Sequence, residues 1–141
     1  MTKIKSYWLM KSEPDVYGWD DLLAEGEGTW DGVRNYTARL HLRAMKLGDE
    51  VFFYHSNIGL EIVGIAEVTA EGFQDPTDET GRWTSVKIKP MRKLKRPVTL
   101  REIKADPVLS DMDLLTKFRL SVSTVKPAEW EHILNLSEQV A

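Results

Sequence analysis

Trp8, Trp30 and Trp83 stand beside polar turns in a 141-residue chain that carries five tryptophans and no cysteine. An indole combines a broad π-face with one N–H donor, so it can stack on a nucleobase or wall in a modified one. The same residue is ordinary core material, and each of the three also carries that plainer reading. Ser12, Asn35, Ser56 and Ser121 add hydroxyl and amide groups able to address the polar edge of a flat ligand, or simply to cap a turn.

Catalysis finds less to work with. His41, His55 and His132 are scattered, without the H-x-x-x-H spacing that sets two metal ligands on one helical face. The lack of Cys excludes thiolate metal sites, a cysteine nucleophile and a disulfide framework, and it fits a reducing compartment. Gly26-Glu27-Gly28 followed by Gly32 looks superficially like a phosphate loop, but its lysine is missing and Glu27 and Asp31 would repel phosphate. His55, between Tyr54 and Ser56, is the one candidate general base, and no partner in the sequence orients it. A binding protein is expected, with no catalytic residue, no metal and no cofactor.

The net charge of −3 is unevenly spread. From Lys87 to Lys104 the residues Lys87, Lys89, Arg92, Lys93, Lys95, Arg96, Arg101 and Lys104 meet one acid, Glu102. A second acid-free stretch, Arg34–Lys46, spaces Arg39, Arg43 and Lys46 at i, i+4 and i+7, a single stripe if it is helical. Such local fields suit contact with a phosphate backbone at selected points. Arg39, Arg43, Lys87, Lys89, Arg92, Lys93, Lys95 and Arg96 are the expected backbone contacts.

The elements that must position these groups fit one domain spanning residues 1–141, with a globular composition of 42% hydrophobic and 29% charged residues. No apolar run approaches the roughly 20 residues that cross a bilayer, and Met1–Ser6 is not followed by a signal-peptide core. A soluble monomer, cytoplasmic or, in a eukaryotic source, nuclear, is expected. Tyr7–Met10 reads as a buried strand ended by the turn Ser12–Asp15, and a short helix is expected around Trp19–Leu23 before the loop Gly26–Gly32. Asn35 caps a helix running to Leu47 with Tyr36, Leu40, Ala44 and Leu47 on its buried face, and Gly48 stops it. Glu50–Tyr54 and Leu60–Val68 form a hairpin, and Gly64 within it marks a bulge, a bend or the close approach of another group. Thr84–Pro90 alternates Val86 and Ile88 against Ser85, Lys87 and Lys89. Thr99 with Glu102, and Ser110 with Asp113, read as capping boxes, and Pro127 opens a last helix that docks Trp130 and Ile133. The core is assigned to those two with Phe52, Val63, Val86 and Ile88. Hairpin strands with interspersed helices favour an α+β fold with a mixed, mostly antiparallel sheet curled into a small barrel.

Several stretches then become recognisable together. Tyr7–Pro14, Trp30–Tyr36, Val51–Ser56, Ile62–Val68, Arg92–Val98 and Arg119–Val122 follow one another in an order that resembles the EVE family of PUA-like domains over nearly the whole chain. The resemblance implies a PUA-like pseudobarrel with short flanking helices, similar to YTH and ASCH domains. It also implies a reader: a pocket that accepts a modified base, methylated or further oxidised, from DNA or RNA. Carried over motif by motif, Trp8, Lys11 and Ser12 flank one side of the pocket, with Trp30, Val33, Arg34 and Asn35 next to them. Tyr54, His55 and Ser56 close the opposite strand end, Leu120 and Ser121 meet a base edge, and Trp83 caps the pocket.

Stacking on an aromatic contributes about 1–3 kcal/mol, close to the cost of unstacking the base. Net affinity must therefore draw on phosphate contacts. One buried methyl contributes about 0.8 kcal/mol, short of the 1.4 that tenfold discrimination needs, so selectivity has to come from pocket shape and polar edges. The alternatives are a small-molecule or protein-interaction module using the same pocket, and a nucleotide-acting enzyme using His55.

Overall fold

The computed structural model describes residues 5–139. Most of the Met1–Ser6 stretch, and both ends of the 1–141 boundary, fall outside those residues. Six strands, β1 (Tyr7–Ser12), β2 (Gly28–Trp30), β3 (Glu50–His55), β4 (Glu61–Gln74), β5 (Thr84–Thr99) and β6 (Val122–Val125), form one sheet in the order β2-β5-β4-β3-β1-β6. Among the described residues only β1 and β3 run parallel, and every other pairing is antiparallel. Helices α1 (Pro14–Tyr17), α2 (Trp19–Glu25), α3 (Tyr36–Ala44), α4 (Leu100–Ala105), α5 (Asp113–Thr116) and α6 (Pro127–Glu138) fill the connections. The fold is the mixed, mostly antiparallel α+β arrangement that the hairpins imply.

Both faces of the sheet are covered, which is why β1 and β3 read as continuous apolar runs. On one face Trp8, Met10, Phe53, Val63, Val86 and Val122 share a cluster with Trp30 and Leu42. Trp30 belongs to one edge strand and Val122 to the other, so the sheet curls until its edges share a core. The opposite face packs Leu9, Phe52, Ile65 and Val98 beneath the C-terminal helices, with Phe52 stacked on Trp130 at 3.7 Å between ring centroids. All six sequence-assigned core residues are buried. Gly64 is a case of close approach: a Cβ there would lie 2.6 Å from the Trp19 ring. Among the described residues no helix is long and apolar enough to cross a membrane.

Several local expectations need correction. β5 does not end at Pro90 but continues through Arg92–Val98 to Thr99, and Ser85, placed on its outer face, is fully buried. α3 ends at Ala44 because Met45 leaves helical backbone angles, before Gly48 is reached. Its buried face is Ala38 and Leu42, continued by Met45, whereas Tyr36 and Leu40 are 63% and 58% exposed and Ala44 and Leu47 also face out. The helix has two apolar stripes at helical spacing, and the small Ala38 lets the backbone approach β4, β5 and β6 on the stripe the larger residues do not occupy. Ser110 caps no helix; it closes the 3-10 turn Pro107–Leu109, and α5 starts after Met112. Asn35 and the Thr99–Glu102 box cap as expected, through Asn35 Oδ1 to the Ala38 N–H at 2.9 Å and the reciprocal bonds of Thr99 and Glu102.

Candidate nucleic-acid interface

A cleft of about 690 Å³ opens where β1, α1, β2 and the loop entering α3 converge, with the turn before β6 closing it. It gathers Lys11, Ser12, Trp30, Val33, Arg34 and Ser121. These residues are far apart in sequence; the edge of β1 against the turn before β6 joins Lys11 to Ser121, and the curl of the sheet brings Trp30 of β2 across to them.

Trp30 is a wall of this cleft rather than a free platform. It is 8% exposed, and its ring meets Phe53 and Tyr17 edge to face at 5.6 and 6.3 Å. Among the described residues its indole N–H has no hydrogen-bond partner. Ser12 Oγ donates to the Tyr17 carbonyl at 2.5 Å, so the hydroxyl meets a ligand only as an acceptor. Lys11 Nζ donates to the Phe118 carbonyl, and burial lowers its pKa below the usual lysine value.

The loop that carries Trp30 into α3 is clamped by one carboxylate. Asp75, fully buried, accepts from the Gly32 N–H at 2.7 Å, from Arg34 Nη1 at 3.0 Å, and from both the N–H and the hydroxyl of Thr77. Gly32 presents that N–H from a positive φ of 77°, a conformation a side chain would strain. Burial pushes the Asp75 carboxyl up, but the hydrogen bonds from Thr77, Gly32 and Arg34 outweigh it and hold it below the ordinary carboxylate value. Arg34 is thereby fixed on the cleft rim.

Sequence reasoning missed Tyr17 and the carboxylates of Glu13, Glu25, Glu27 and Asp31, which also line the cleft. The Tyr17 hydroxyl is buried without a hydrogen-bond partner, and burial, with Glu25 and Asp21 nearby, raises its pKa far above the ordinary tyrosine value. No periodicity marks this residue; it enters the cleft because α1 is a single turn between Pro14 and Gly18.

Seven predicted base-binding residues lie elsewhere. Trp8 is 5% exposed, and Asp49, itself buried, accepts its indole N–H at 3.0 Å; it is core. His55 Nε2 accepts the Trp19 backbone N–H at 3.1 Å and burial lowers its pKa, so it is neutral at physiological pH with its basic nitrogen occupied. Tyr54 and Ser56 line an adjoining cavity of about 480 Å³ with Leu60 and Leu114, and Lys11 borders both it and the cleft. Asn35 and Leu120 border a third depression of about 470 Å³. Trp83 does not cap the cleft; it stacks obliquely on Tyr36 at 5.3 Å, with Arg34 and Arg39 beside it.

The expected backbone contacts divide. Arg39 and Arg43 share the outer side of α3, both donating to the Arg82 carbonyl. The β5 run does not form one surface. Lys87 reaches Glu27 at 3.9 Å, Arg92 and Lys95 reach Glu138 on α6, and Arg96 makes a double hydrogen bond with Glu102 on α4, both at 2.8 Å. Lys89 and Lys93 are exposed and, among the described residues, have no acidic partner. Among the described residues no group of three or more His, Asp or Glu is placed to hold a metal ion.

The curled, mostly antiparallel sheet with short helices on both faces is a PUA-like fold. The chain belongs to the EVE domain family, whose pattern it matches over residues 6–136. It is 37% identical to mouse thymocyte nuclear protein 1 over 96% of this chain and 75% of the mouse protein. Among solved structures it is similar to Rpa0253 from Rhodopseudomonas palustris, 49% identical with a TM-score of 0.89, covering 94% of this chain and 92% of that one. It is also similar to human THYN1 protein solved in complex with 5-methylcytosine-containing DNA, at 34% identity and a TM-score of 0.88, covering 97% of this chain and 100% of that one.

Proposed function

We propose that this chain reads a modified base in DNA by taking the base out of the stack into the Trp30 cleft, without chemical change to it. The observation that carries the reading is the convergence of Lys11, Ser12, Trp30, Val33, Arg34 and Ser121 on one cleft, in a family whose human member has been solved with methylated DNA. An extruded base gains an indole and aliphatic wall from Trp30 and Val33. Its polar edge finds the Ser12 acceptor and the carboxylates, which suit an exocyclic amine, and an indole N–H on Trp30 that no described residue accepts. Unpaired bases cost less to extrude, so affinity and selectivity are separable. What supports a reader without turnover is His55, the one candidate base in the sequence, whose acceptor nitrogen is already bonded to the Trp19 N–H.

Fluorescence anisotropy with matched oligonucleotides, with and without 5-methylcytosine, tests this. The wild-type protein should prefer the modified strand, and Trp30→Ala should weaken that binding at least tenfold and collapse the preference. Trp30→Phe keeps apolar bulk but removes the N–H, and should retain the fold while losing part of the preference. No preference in the wild-type protein, or an unchanged preference in Trp30→Ala, would overturn the reading.

A further inference from the structure

The outward face of α3 is unusual for a helix that also packs on a sheet. Tyr36 is 63% exposed and Leu40 58%, and they lie one helical turn apart. Trp83, at the end of the β4–β5 hairpin, sits against Tyr36 with ring planes 33° apart. Arg39 Cζ lies 4.9 Å from the Tyr36 centroid and 5.4 Å from that of Trp83, and Arg34 Cζ lies 5.5 Å from Trp83. Two rings and two guanidinium groups therefore form one layered cluster. Among the described residues Arg39, Arg43 and Arg82 have no acidic partner, and the Arg39 Nε is buried without an acceptor.

From this cluster we infer a second contact surface, which binds the DNA segment flanking the extruded nucleotide: Tyr36 stacks on a neighbouring base, and Arg39, Arg43 and Arg82 meet its phosphates. The inference rests on the cleft reading above. Arg34 is the link, because it lines the cleft and lies beside Trp83, so a strand leaving the cleft over Arg34 arrives on this cluster. Guanidinium groups held against rings are preset in direction, and a partly buried aromatic with an open face accepts any base. The surface contributes affinity independent of modification. A protein partner would want carboxylates here to offset the arginines, whereas DNA supplies both the charge and the flat faces.

The test uses the full chain, one oligonucleotide with a single 5-methylcytosine and its unmodified twin. Tyr36→Ala should weaken both about tenfold and leave their ratio unchanged, Tyr36→Phe should restore wild-type binding, and Arg39→Gln should flatten the slope of log affinity against log salt by about one. With Tyr36 63% exposed, thermal melting of the two Tyr36 variants should match the wild type. An affinity for both strands within twofold of wild type in Tyr36→Ala, or a loss confined to the modified strand, would overturn the inference. If the wild-type protein shows no preference for the modified strand, the cleft reading falls, while the response of the unmodified strand to Tyr36→Ala still decides this surface.

Discussion

Two regions rich in basic residues, α3 with the β4–β5 hairpin end, and the long strand β5, start from similar sequence and end in different electrostatic states. On α3 the spacing of Arg39 and Arg43 sets both guanidinium groups on one side, where they bond a backbone carbonyl and neighbouring rings, and no acid neutralises them. On β5 successive residues alternate faces, and a strand of 16 residues extends up to about 50 Å, so its charges are dispersed. Acids from α4 and α6 then meet Arg92, Lys95 and Arg96. Local charge density in a sequence is therefore a poor guide to surface field; the element that carries it and the acids folded against it decide.

The largest effect should come from the acid that serves the α3 region. Asp75→Ala strands the Gly32 N–H, the Thr77 groups and Arg34, and should cost about 3 kcal/mol in denaturant unfolding, against about 1 kcal/mol for Glu102→Ala, whose own side chain is 35% exposed where that of Asp75 is fully buried. Equal costs would mean that the two acids are interchangeable supports. Next, Arg39→Gln with Arg43→Gln should lower DNA affinity about tenfold and the salt slope by about two, whereas Arg92→Gln with Lys95→Gln should change affinity less than twofold. A larger loss from the β5 pair would reverse the comparison.

A smaller effect is expected with pH. Hydrogen bonds from the Thr80 hydroxyl and from the N–H groups of Thr80 and Trp83 hold Asp78 at about 2, and Asp75 is also below its ordinary value of 3.8. Both folded values are depressed, so the stability they contribute is complete above the unfolded value and is lost as pH falls through the folded ones. The hairpin end should loosen between about pH 4 and pH 2, seen as a change in Trp83 fluorescence, and Asp78→Asn should show the loosened signal already at neutral pH. Smallest of all, Glu138→Gln frees Arg92 and Lys95 from exposed pairs and should raise DNA affinity by less than twofold; a larger gain would show that β5 faces the nucleic acid.

What the sequence determined by itself was local. The Asn35 cap, the Thr99–Glu102 box, the β3–β4 hairpin and the alternation of Val86 and Ile88 each follow from neighbours a few residues apart. The family resemblance further grouped Lys11, Ser12, Trp30, Val33, Arg34 and Ser121, but together with seven residues that the fold places elsewhere. Only the tertiary structure decided which of two helical stripes α3 buries, because that depends on how closely Ala38 lets it approach the sheet. It likewise decided that Trp8 gives its N–H to Asp49, that His55 accepts from Trp19, and that Tyr17 enters the cleft with its hydroxyl unpaired. Each of the first two choices joins residues more than thirty positions apart, and a side chain's freedom to meet a ligand depends on whether such a distant partner has already taken its polar atom.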